Sequence, residues 1–559
     1  MLDSTPLNDT SHSRPVRRLT AAITAGLAIP ICLFGHLGAM GLAGPDEPRY
    51  AWIARAMATS GDWVTPRLFG QPWFEKPILY YWLGAIGFRL NLPAEWAARL
   101  PSAFAALAAA FAIAWLAWKH YGIENQIVDS PVLLAPLIFS TSVAAVGFAR
   151  AATPDMLFSA CIALAMAGAD GVLPLACAPR SRSEDSGGAS HRNLMALLLF
   201  GGSLGLSVLA KGPAGVILAA GAIGIWACAT GSWRAAFRLA HPLALAAFSI
   251  IGLPWYVLCA RRNPDFIHAF IFQHNFERYL TPLFQHKQPF WFFGAMTLLA
   301  LLPWTVLMIP AAQEGLRLWR EKSWRDSPGF FVACWAAFPI VFFSFSQSKL
   351  PGYILPAIPP MAFLLAVPCK RFASSHSAAY SWITTALALT WAAMGFSPIF
   401  LNHRLPPDAP DALGQTILIC AAIAGALIIK ALRLFDKRGA LLVSALLVAV
   451  LVEIAGARIL PRLDAYISAR PHAQLLLNDR RPERIFTYRL NRSWNYGLAF
   501  YLGRELPEWS PIDPQPALVL TNPKGLQEIR RLGRLGGELD QSYQGILYVP
   551  VTTTVPNLP

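Results

Sequence analysis

Apolar segments near the length of a membrane-spanning helix recur along most of the chain. Segments of about 20 predominantly apolar residues cross a bilayer, and counting them predicts about thirteen spans between Leu19 and Ala457. They centre near Ile31, Ala110, Ile138, Leu164, Leu199, Ile223, Ala246, Leu301, Ala336, Met361, Leu389, Leu418 and Leu446. The pattern predicts an α-helical polytopic membrane protein. Basic residues precede the first apolar segment, so this segment could alternatively be a cleaved signal peptide. The length of the segment favours a membrane span.

The composition agrees with lipid as the solvent. Of the 559 residues, 55% are hydrophobic and 14% are charged, and the mean hydropathy is +0.44. Ordinary soluble proteins carry roughly 25% charged residues, so a single soluble globule is excluded. The net charge of +15 comes largely from loops on one side of the predicted spans, as the positive-inside rule requires of cytoplasmic loops. We therefore expect this charge to set orientation, and we expect no nucleic-acid partner.

The pattern changes after Ala457, where short β-rich runs alternate with helix-like stretches. The β-rich runs cover 484–489, 517–521 and 546–551, and the helix-like stretches cover 496–504 and 524–535. Two domains are expected, a transmembrane domain over 1–457 and a small α/β domain over 458–559. With a cytoplasmic N-terminus and an odd number of spans, the α/β domain lies outside the cytoplasm.

A long loop over 44–99 connects the first two predicted spans on the non-cytoplasmic side. Pro48 suits the first turn of a helix that runs to about Thr59, and Asp46 or Glu47 is placed to cap it. Arg49 then projects from the start of this helix. A helix N-terminus beside a basic side chain is a ready phosphate site.

The same loop contains a second acid and base pair, Glu75 and Lys76, followed by Pro77 at the predicted first turn of another helix. Two helix starts with paired charges in one loop favour a site for phosphate groups. The alternative is that these pairs are only interfacial salt bridges and helix caps.

Further charges occur at the outer ends of spans, where lipid makes them costly. Asp155, Lys211 and Lys349 fall on the same side as the first loop. Snorkelling explains each one singly, but their shared side favours a common site. The outer loop 261–289 adds a set of basic residues, His268, His274, Arg278, His286 and Lys287. Glu75 with His274 is a candidate site for a divalent metal.

Six motifs in this sequence resemble those of the polytopic GT-C glycosyltransferases. They read GPDEPRY at 44–50, WFEKPILYYW at 73–82, ATPD at 152–155, LAKGP at 209–213, QHKQPFWF at 285–292 and SKLPGYILP at 348–356. Within the superfamily they are most similar to the bacterial aminoarabinose transferases that modify lipid A. The resemblance implies a GT-C fold of about thirteen transmembrane helices with a small C-terminal periplasmic α/β domain.

The resemblance also implies roles for individual residues. The catalytic group consists of Asp46, Glu75 and Asp155. The donor-phosphate group consists of Arg49, Lys76, Lys349 and Tyr353. Lys211 and Arg278 are assigned to the acceptor or a second phosphate, and Glu75 and His274 to a metal. Many relatives carry an acid directly before this histidine, whereas this chain has Gln273, which weakens the metal assignment.

The implied activity is transfer of 4-amino-4-deoxy-L-arabinose from undecaprenyl phosphate to a lipid A phosphate. This implies a lipid-linked aminosugar donor, a lipid A acceptor, resistance to cationic peptides such as polymyxin, and a monomer in the Gram-negative inner membrane facing the periplasm. No cofactor is required, apart from the possible metal. One alternative is a GT-C enzyme that glycosylates a protein or glycan hydroxyl, as protein O-mannosyltransferases do. A lipid or solute transporter is another, although internal repeats typical of many transporters are not apparent.

Overall fold

The computed structural model describes residues 13–122, 130–175, 186–270, 288–369, 381–401, 412–435, 437–478, 484–513, 515–536, 541–543 and 546–552. Helices dominate as far as Ile467, and they are joined mainly by short turns. In chain order they are α1 (Ser13–Phe34), α2 (Asp46–Ser60), α3 (Leu79–Arg89), α4 (Ala94–Tyr121), α5 (Pro131–Ser140), α6 (Val143–Ala149), α7 (Pro154–Val172), α8 (Ser186–Lys211), α9 (Ala214–Thr230), α10 (Trp233–Phe237), α11 (Pro242–Arg262), α12 (Phe292–Ala300), α13 (Met308–Arg320), α14 (Pro328–Ser344), α15 (Ile358–Ala366), α16 (Ser381–Leu401), α17 (Ala412–Phe435), α18 (Lys437–Ile454) and α19 (Leu460–Ile467). Short 3-10 turns at Arg238–Ala240, Trp304–Leu307 and Pro351–Ala357 and a π turn at Ala455–Ile459 connect some of them.

The apolar helices make this a multi-pass membrane protein. In the described residues, five helices are long and apolar enough to cross a membrane, or seven if each of two bent pairs forms one span. The bent pairs are α5 with α6, at 61°, and α12 with the helix that follows it, at 108°. Six further apolar helices have 10–17 residues. Twelve of the predicted centres fall on these helices, and the remaining one, Leu301, falls at the second bend.

The centre of the bundle is packed through small residues. Helix α7 lies against α8 and is the most enclosed of the candidate spans, with 78% of its apolar window buried. A Cβ added at Gly168 of α7 would lie 2.6 Å from the backbone nitrogen of Phe200 in α8. Close backbone approach of this kind is how helices associate in lipid, where hydrophobic burial contributes little.

The loop after α1 differs in two details from the sequence prediction. Helix α2 begins and ends near the predicted residues, but its N-cap is Pro45, without a side-chain cap bond. The prediction that Asp46 or Glu47 caps this helix is therefore wrong, because both carboxylates are committed to basic side chains or to other backbone N–H groups. Pro77 lies before α3 and not in its first turn, since the helix starts at Leu79. A two-stranded hairpin, β1 (Arg67–Leu68) with β2 (Gln71–Pro72), lies between the two helices.

An α/β unit follows the helices. Its elements are α20 (Arg470–Asn478), β3 (Ile485–Tyr488), α21 (Arg492–Leu502), β4 (Ala517–Thr521), α22 (Pro523–Arg531), β5 (Gln541–Tyr543) and β6 (Ile546–Val551). The four strands are ordered β3-β4-β6-β5, with β3 parallel to β4 and the other pairs antiparallel. The three predicted β-rich runs are strands. The helix predicted over 496–504 starts four residues earlier, because Asn491 caps it at the Trp494 N–H.

Charged side chains join this α/β unit to the first loop. Arg470 lies 2.7 Å from Asp464 and 3.2 Å from Glu95. The Tyr501 hydroxyl donates to Glu95 at 2.8 Å and accepts from the Leu42 N–H at 2.7 Å. These contacts fix the α/β unit against the residues that precede α2, so the two parts present one continuous surface.

Candidate active site

A buried carboxylate holds the start of α2 in place. Glu47 accepts hydrogen bonds from the Ala43 N–H at 2.8 Å and the Ala152 N–H at 2.7 Å. It also pairs with Arg99 at 2.7 Å, and both side chains are at least 90% buried. Arg99 donates in addition to the carbonyl of Leu37 at 2.6 Å. All of these partners are groups of the protein itself, so Glu47 holds the loop in position. The neighbouring Asp46 then faces outward.

Arg49 connects the two acid and base pairs that the sequence singled out. Its Nη2 lies 2.5 Å from Asp46, and its Nη1 lies 2.9 Å from Glu75. Lys76 is 3.7 Å from the other oxygen of Glu75. The alternative of interfacial salt bridges is correct as far as the pairing goes, but capping is not part of it. The structure joins the pairs into one array of two acids and two bases.

The carboxylate of Asp46 is about half exposed, whereas the guanidinium that contacts it is only 8% exposed. Burial within the site raises the pKa of Asp46 above its ordinary value, against the lowering effect of Arg49. The charges of Glu75 and Asp155 also raise this pKa, while Lys76 lowers it. Asp46 therefore lies in the electrostatic field of Arg49, Glu75, Lys76 and Asp155.

Aromatic side chains enclose Arg49. Its Cζ lies 5.2 Å from the ring centre of Tyr50, 5.6 Å from that of Trp73 and 5.9 Å from that of Tyr496 in the α/β unit. Within the described part of the chain, Arg49 Nε, Trp73 Nε1 and the Tyr81 hydroxyl are buried without a hydrogen-bond partner. Each unsatisfied buried donor costs about 1–3 kcal/mol, so three in one place are typical of a site shaped for a ligand.

A second charged group lies at the start of α7. Asp155 occupies the first turn of this helix and forms an ion pair with Lys211, the last residue of α8. The ring centre of Tyr353 lies 5.0 Å from Lys211 Nζ. A Cβ at Gly352 would lie 3.0 Å from the ring of Phe148 and 3.2 Å from the Asp155 carboxyl carbon, so a side chain there would crowd both groups. Tyr353 therefore lies beside the predicted acceptor-side lysine, although the resemblance assigned it to the donor phosphate.

The two groups are connected through the backbone. Glu47, next to Asp46 in sequence, accepts from the N–H of Ala152, three residues before Asp155. Lys349 is 8% exposed and donates to the Ser346 carbonyl at 2.6 Å. In the described residues it forms no ion pair with the acids of either group. The structure thus forms one group of Asp46, Arg49, Glu75 and Lys76 and a second of Asp155, Lys211 and Tyr353.

The donor set of the first loop does not favour a metal ion. Glu75 is the only predicted metal ligand within the described residues, and it already contacts Arg49 and Lys76. No group of three or more His, Cys, Asp or Glu side chains that could hold a metal occurs in those residues. Arg49 and Lys76, which both lie beside Glu75, would repel a metal ion there. His274 and Arg278, with His286 and Lys287, lie outside the described residues.

Sequence reasoning missed three contributors to the site. Glu47 and Arg99 form its frame, and Tyr496 of the α/β unit forms part of its wall. Arg99 is a charged residue near the start of the apolar helix α4, and this position could have indicated that it has a buried partner. No signal in the sequence could place Tyr496, because its contact depends on how the α/β unit sits on the first loop.

The fold defines the class of protein. The helical bundle, the long charged first loop and the terminal α/β unit form the GT-C fold of membrane glycosyltransferases, which confirms the predicted fold. A crystal structure of ArnT from Cupriavidus metallidurans bound to undecaprenyl phosphate matches with a TM-score of 0.75 at 20% identity. It covers 98% of this chain and 100% of that chain. The structure of the same protein in the apo state matches with a TM-score of 0.74 at 21% identity.

Sequence comparisons point to particular relatives. Residues 38–270 match the family described as dolichyl-phosphate-mannose-protein mannosyltransferase. The undecaprenyl phosphate-alpha-4-amino-4-deoxy-L-arabinose arabinosyl transferase of Erwinia tasmaniensis is 34% identical over 325 residues, which is 58% of this chain and 54% of that protein. The protein of the same name from Edwardsiella ictaluri is 31% identical over 335 residues, 60% of this chain and 57% of that protein. The chain thus spans about half the length of the curated relatives it matches, and the resemblance drawn from its motifs is confirmed.

Proposed function

We propose that this protein transfers 4-amino-4-deoxy-L-arabinose from undecaprenyl phosphate to a phosphate of lipid A. The observation that carries the proposal is the array formed by Arg49 with Asp46 and Glu75, next to Lys76, in the GT-C fold. The names of the relatives supply the sugar and the lipid carrier. A sugar that moves between two phosphates demands stabilisation of anionic charge more than proton transfer, and the array holds two cations, Arg49 and Lys76, beside its two acids.

The reaction balances without an external proton. An oxygen of the acceptor phosphate attacks C1 of the sugar while the bond from C1 to the carrier phosphate breaks, and the electron pair leaves on that phosphate. A phosphate monoester has a second pKa near 6 and is largely ionised at neutral pH, so the nucleophile needs no strong base. Inversion at C1 by direct displacement follows from this scheme.

Each group then has a distinct role. Lys76 and Arg49 hold the donor phosphate and stabilise the charge that develops on it as the bond breaks. Asp46 orients the sugar or stabilises its positive character at C1, while Glu75 holds Arg49 at 2.9 Å. Asp155 and Lys211 lie on the acceptor side, with Tyr353 at 5.0 Å from the lysine, and Lys349 and Arg278 are further candidates for phosphate contacts.

We also propose the placement of the molecule. The positive loops face the cytoplasm of a Gram-negative bacterium, and the site and the α/β domain face the periplasm across the inner membrane. The transmembrane domain covers 1–457 and the α/β domain 458–559, and the protein acts as a monomer among membrane lipids. Cysteine labelling of Asn91→Cys, in the first loop, and of Lys322→Cys, after α13, tests the orientation with an impermeant reagent.

Mass spectrometry of lipid A tests the activity. In cells that supply the donor lipid, expression of this chain should add an aminopentose mass to a lipid A phosphate and raise resistance to polymyxin. Lys76→Ala should abolish the addition at unchanged protein level. Unmodified lipid A in the presence of donor and of folded wild-type protein contradicts the proposal.

A second candidate is a GT-C transferase that acts on a protein or glycan hydroxyl. The match of residues 38–270 to a protein mannosyltransferase family favours it. A hydroxyl nucleophile must lose its proton, and Asp46 would then act as a general base. Transfer of radiolabelled sugar from a polyprenyl-phosphate mannose donor to protein, absent with the aminoarabinose donor, supports this candidate over the first.

A further inference from the structure

A polar cavity of about 540 Å³ lies where the α/β unit meets the first loop. One wall is Phe69, at the turn of the hairpin between β1 and β2. The opposite walls come from the first turns of α21 and from the segment that follows this helix. The lining residues used below are Phe69, Arg492, Asn495, Tyr496, Glu505 and Glu508. The volume lies within the usual range of small-molecule sites.

The cavity adjoins the candidate active site through a single aromatic ring. Tyr496 lines the cavity, and its ring centre lies 5.9 Å from Arg49 Cζ. The same ring lies 6.1 Å from the ring of Phe69. A molecule held in the cavity is therefore separated from the guanidinium of Arg49 by the width of one side chain.

Some polar groups of the cavity have protein partners and others lack them. Arg489, which also lines the cavity, pairs with Glu528 at 2.5 Å, and the Asn495 Nδ2 donates to the Leu490 carbonyl at 3.5 Å. Asn495 Oδ1 is buried without a hydrogen-bond partner in the part of the chain that the structure describes. Across the same described residues, no carboxylate lies within 4.0 Å of the Arg492 guanidinium, and no basic group lies within that distance of Glu505 or Glu508. Two cations, two carboxylates and an amide thus line one cavity, together with the aromatic rings of Phe69 and Tyr496.

This set of groups matches one class of ligand. An arginine binds phosphate with charge-assisted hydrogen bonds. Carboxylates accept from hydroxyl and ammonium groups, and an amide both donates and accepts. The aromatic rings supply flat apolar surfaces. A phosphorylated saccharide offers phosphate and hydroxyl groups that complement this set, whereas an acyl chain offers none.

We propose that this cavity is the subsite for the phosphorylated saccharide headgroup of the acceptor, and that the α/β unit thereby selects the acceptor. This inference rests on the proposed transfer to a phosphorylated glycolipid. It assigns a function to the α/β unit: it holds the sugar part of the acceptor beside Arg49 while the acyl chains stay in the membrane.

Binding of a soluble probe tests the inference without requiring transfer. The protein in lipid nanodiscs is titrated with an N-acetylglucosamine disaccharide bisphosphate that carries no long acyl chains, and heat is measured. The wild type should bind saturably. Arg492→Ala removes a hydrogen bond to a charged group, so the dissociation constant should rise about ten-fold or more. Asn495→Ala should also weaken binding.

Arg504→Ala is the matched control, because it removes an exposed cation of the same unit that does not line the cavity. Its dissociation constant should match that of the wild type. A second readout is the KM for the complete, acylated acceptor, which should rise about ten-fold in Arg492→Ala but not in Arg504→Ala. Equal melting temperatures establish that the variants are folded, and Glu508→Gln replaces any variant that is not.

The outcomes separate this inference from the proposed function. Transfer by the wild type with no saturable binding of the probe, and with a KM for acylated acceptor unchanged in Arg492→Ala, overturns the inference alone. Probe binding that is lost in Arg492→Ala, in a protein that never transfers the sugar to lipid A, supports the subsite and overturns the proposed function. Probe binding that is equal in the wild type and both cavity variants overturns the inference, because the ligand then binds elsewhere.

Discussion

Substituting Arg49 by lysine separates the charge of this side chain from its shape. The guanidinium reaches Asp46 through Nη2 at 2.5 Å and Glu75 through Nη1 at 2.9 Å. A lysine ammonium keeps the positive charge but lacks the rigid planar fork that presents two donors in different directions. Arg49→Lys therefore retains the attraction for a phosphate while losing at least one of the two fixed contacts.

The size of the effect follows from these contacts. A hydrogen bond to a charged group contributes about 1.5–3 kcal/mol, and each 1.36 kcal/mol changes a rate ten-fold. We expect kcat/KM of Arg49→Lys to fall roughly 10-fold to 150-fold. Arg49→Ala removes the charge as well, and a lost electrostatic contact to the transition state costs about 10²–10³ in kcat. The alanine variant should therefore be the slower of the two.

The assay measures initial rates of sugar transfer by purified protein in nanodiscs, with lipid-linked donor and lipid A acceptor. Arg262→Ala serves as the control, because this arginine is 58% exposed and pairs with Asp62 at 3.3 Å. Exposed ion pairs contribute about 0–1 kcal/mol, so its rate should stay near that of the wild type. A wild-type rate for Arg49→Lys refutes the requirement for the fork, and wild-type rates for both Arg49 variants refute the site itself.

Three further predictions concern the frame and the charges of the site. Glu47→Gln leaves the charge of the buried Arg99 unpaired, which costs about 3–5 kcal/mol of folding stability. Thermal unfolding of this variant in detergent should therefore occur at a clearly lower temperature than that of Asp46→Asn. Equal melting temperatures would show that the Glu47–Arg99 pair does not hold the loop. Because burial raises the pKa of Asp46, lowering the pH should protonate this carboxylate and reduce the transfer rate, with a midpoint above the ordinary pKa of about 3.9. The residual activity of Asp46→Asn should lack this decline. The same decline in the variant would assign the titration to another group. Gly352→Val crowds the Asp155 carboxyl group, since an added Cβ would lie 3.2 Å from its carbon and 3.0 Å from the ring of Phe148, and it should lower kcat about ten-fold at normal protein level. A wild-type rate would show that the ion pair of Asp155 tolerates displacement.

The helical part of the fold was predictable because a bilayer restricts what a chain can do. Backbone groups in lipid must bond within their own segment, so long apolar runs become helices at the places where they occur. The hydropathy pattern predicts single straight spans around Ile138 and Leu301. In the structure the helices at these two places are bent by 61° and 108°. The bends come from local breaks that hydropathy averages do not register.

The contacts among the charged residues of the first loop were only partly predictable. Their place in one loop grouped Asp46 with Arg49 and Glu75, and these side chains lie in contact in the structure. The neighbouring acids Asp46 and Glu47 could not be told apart, because two adjacent positions of a helix face directions about 100° apart and only the packed structure decides which one is buried. The choice is made by Arg99, which lies 52 residues further along the chain.

The contacts between the α/β unit and the first loop also order the events of biosynthesis. The Leu42 N–H donates to the hydroxyl of Tyr501, which is 459 residues later in the chain, and Arg470 donates to the carbonyl of Gly38 across 432 residues. Chains fold from the N-terminus as they are synthesised, so the bundle can insert long before these partners exist. The wall that Tyr496 adds beside Arg49 is the last part to arrive. A nascent chain in the membrane therefore carries its charged loop without a finished site, and it gains one only after Tyr496 has been synthesised.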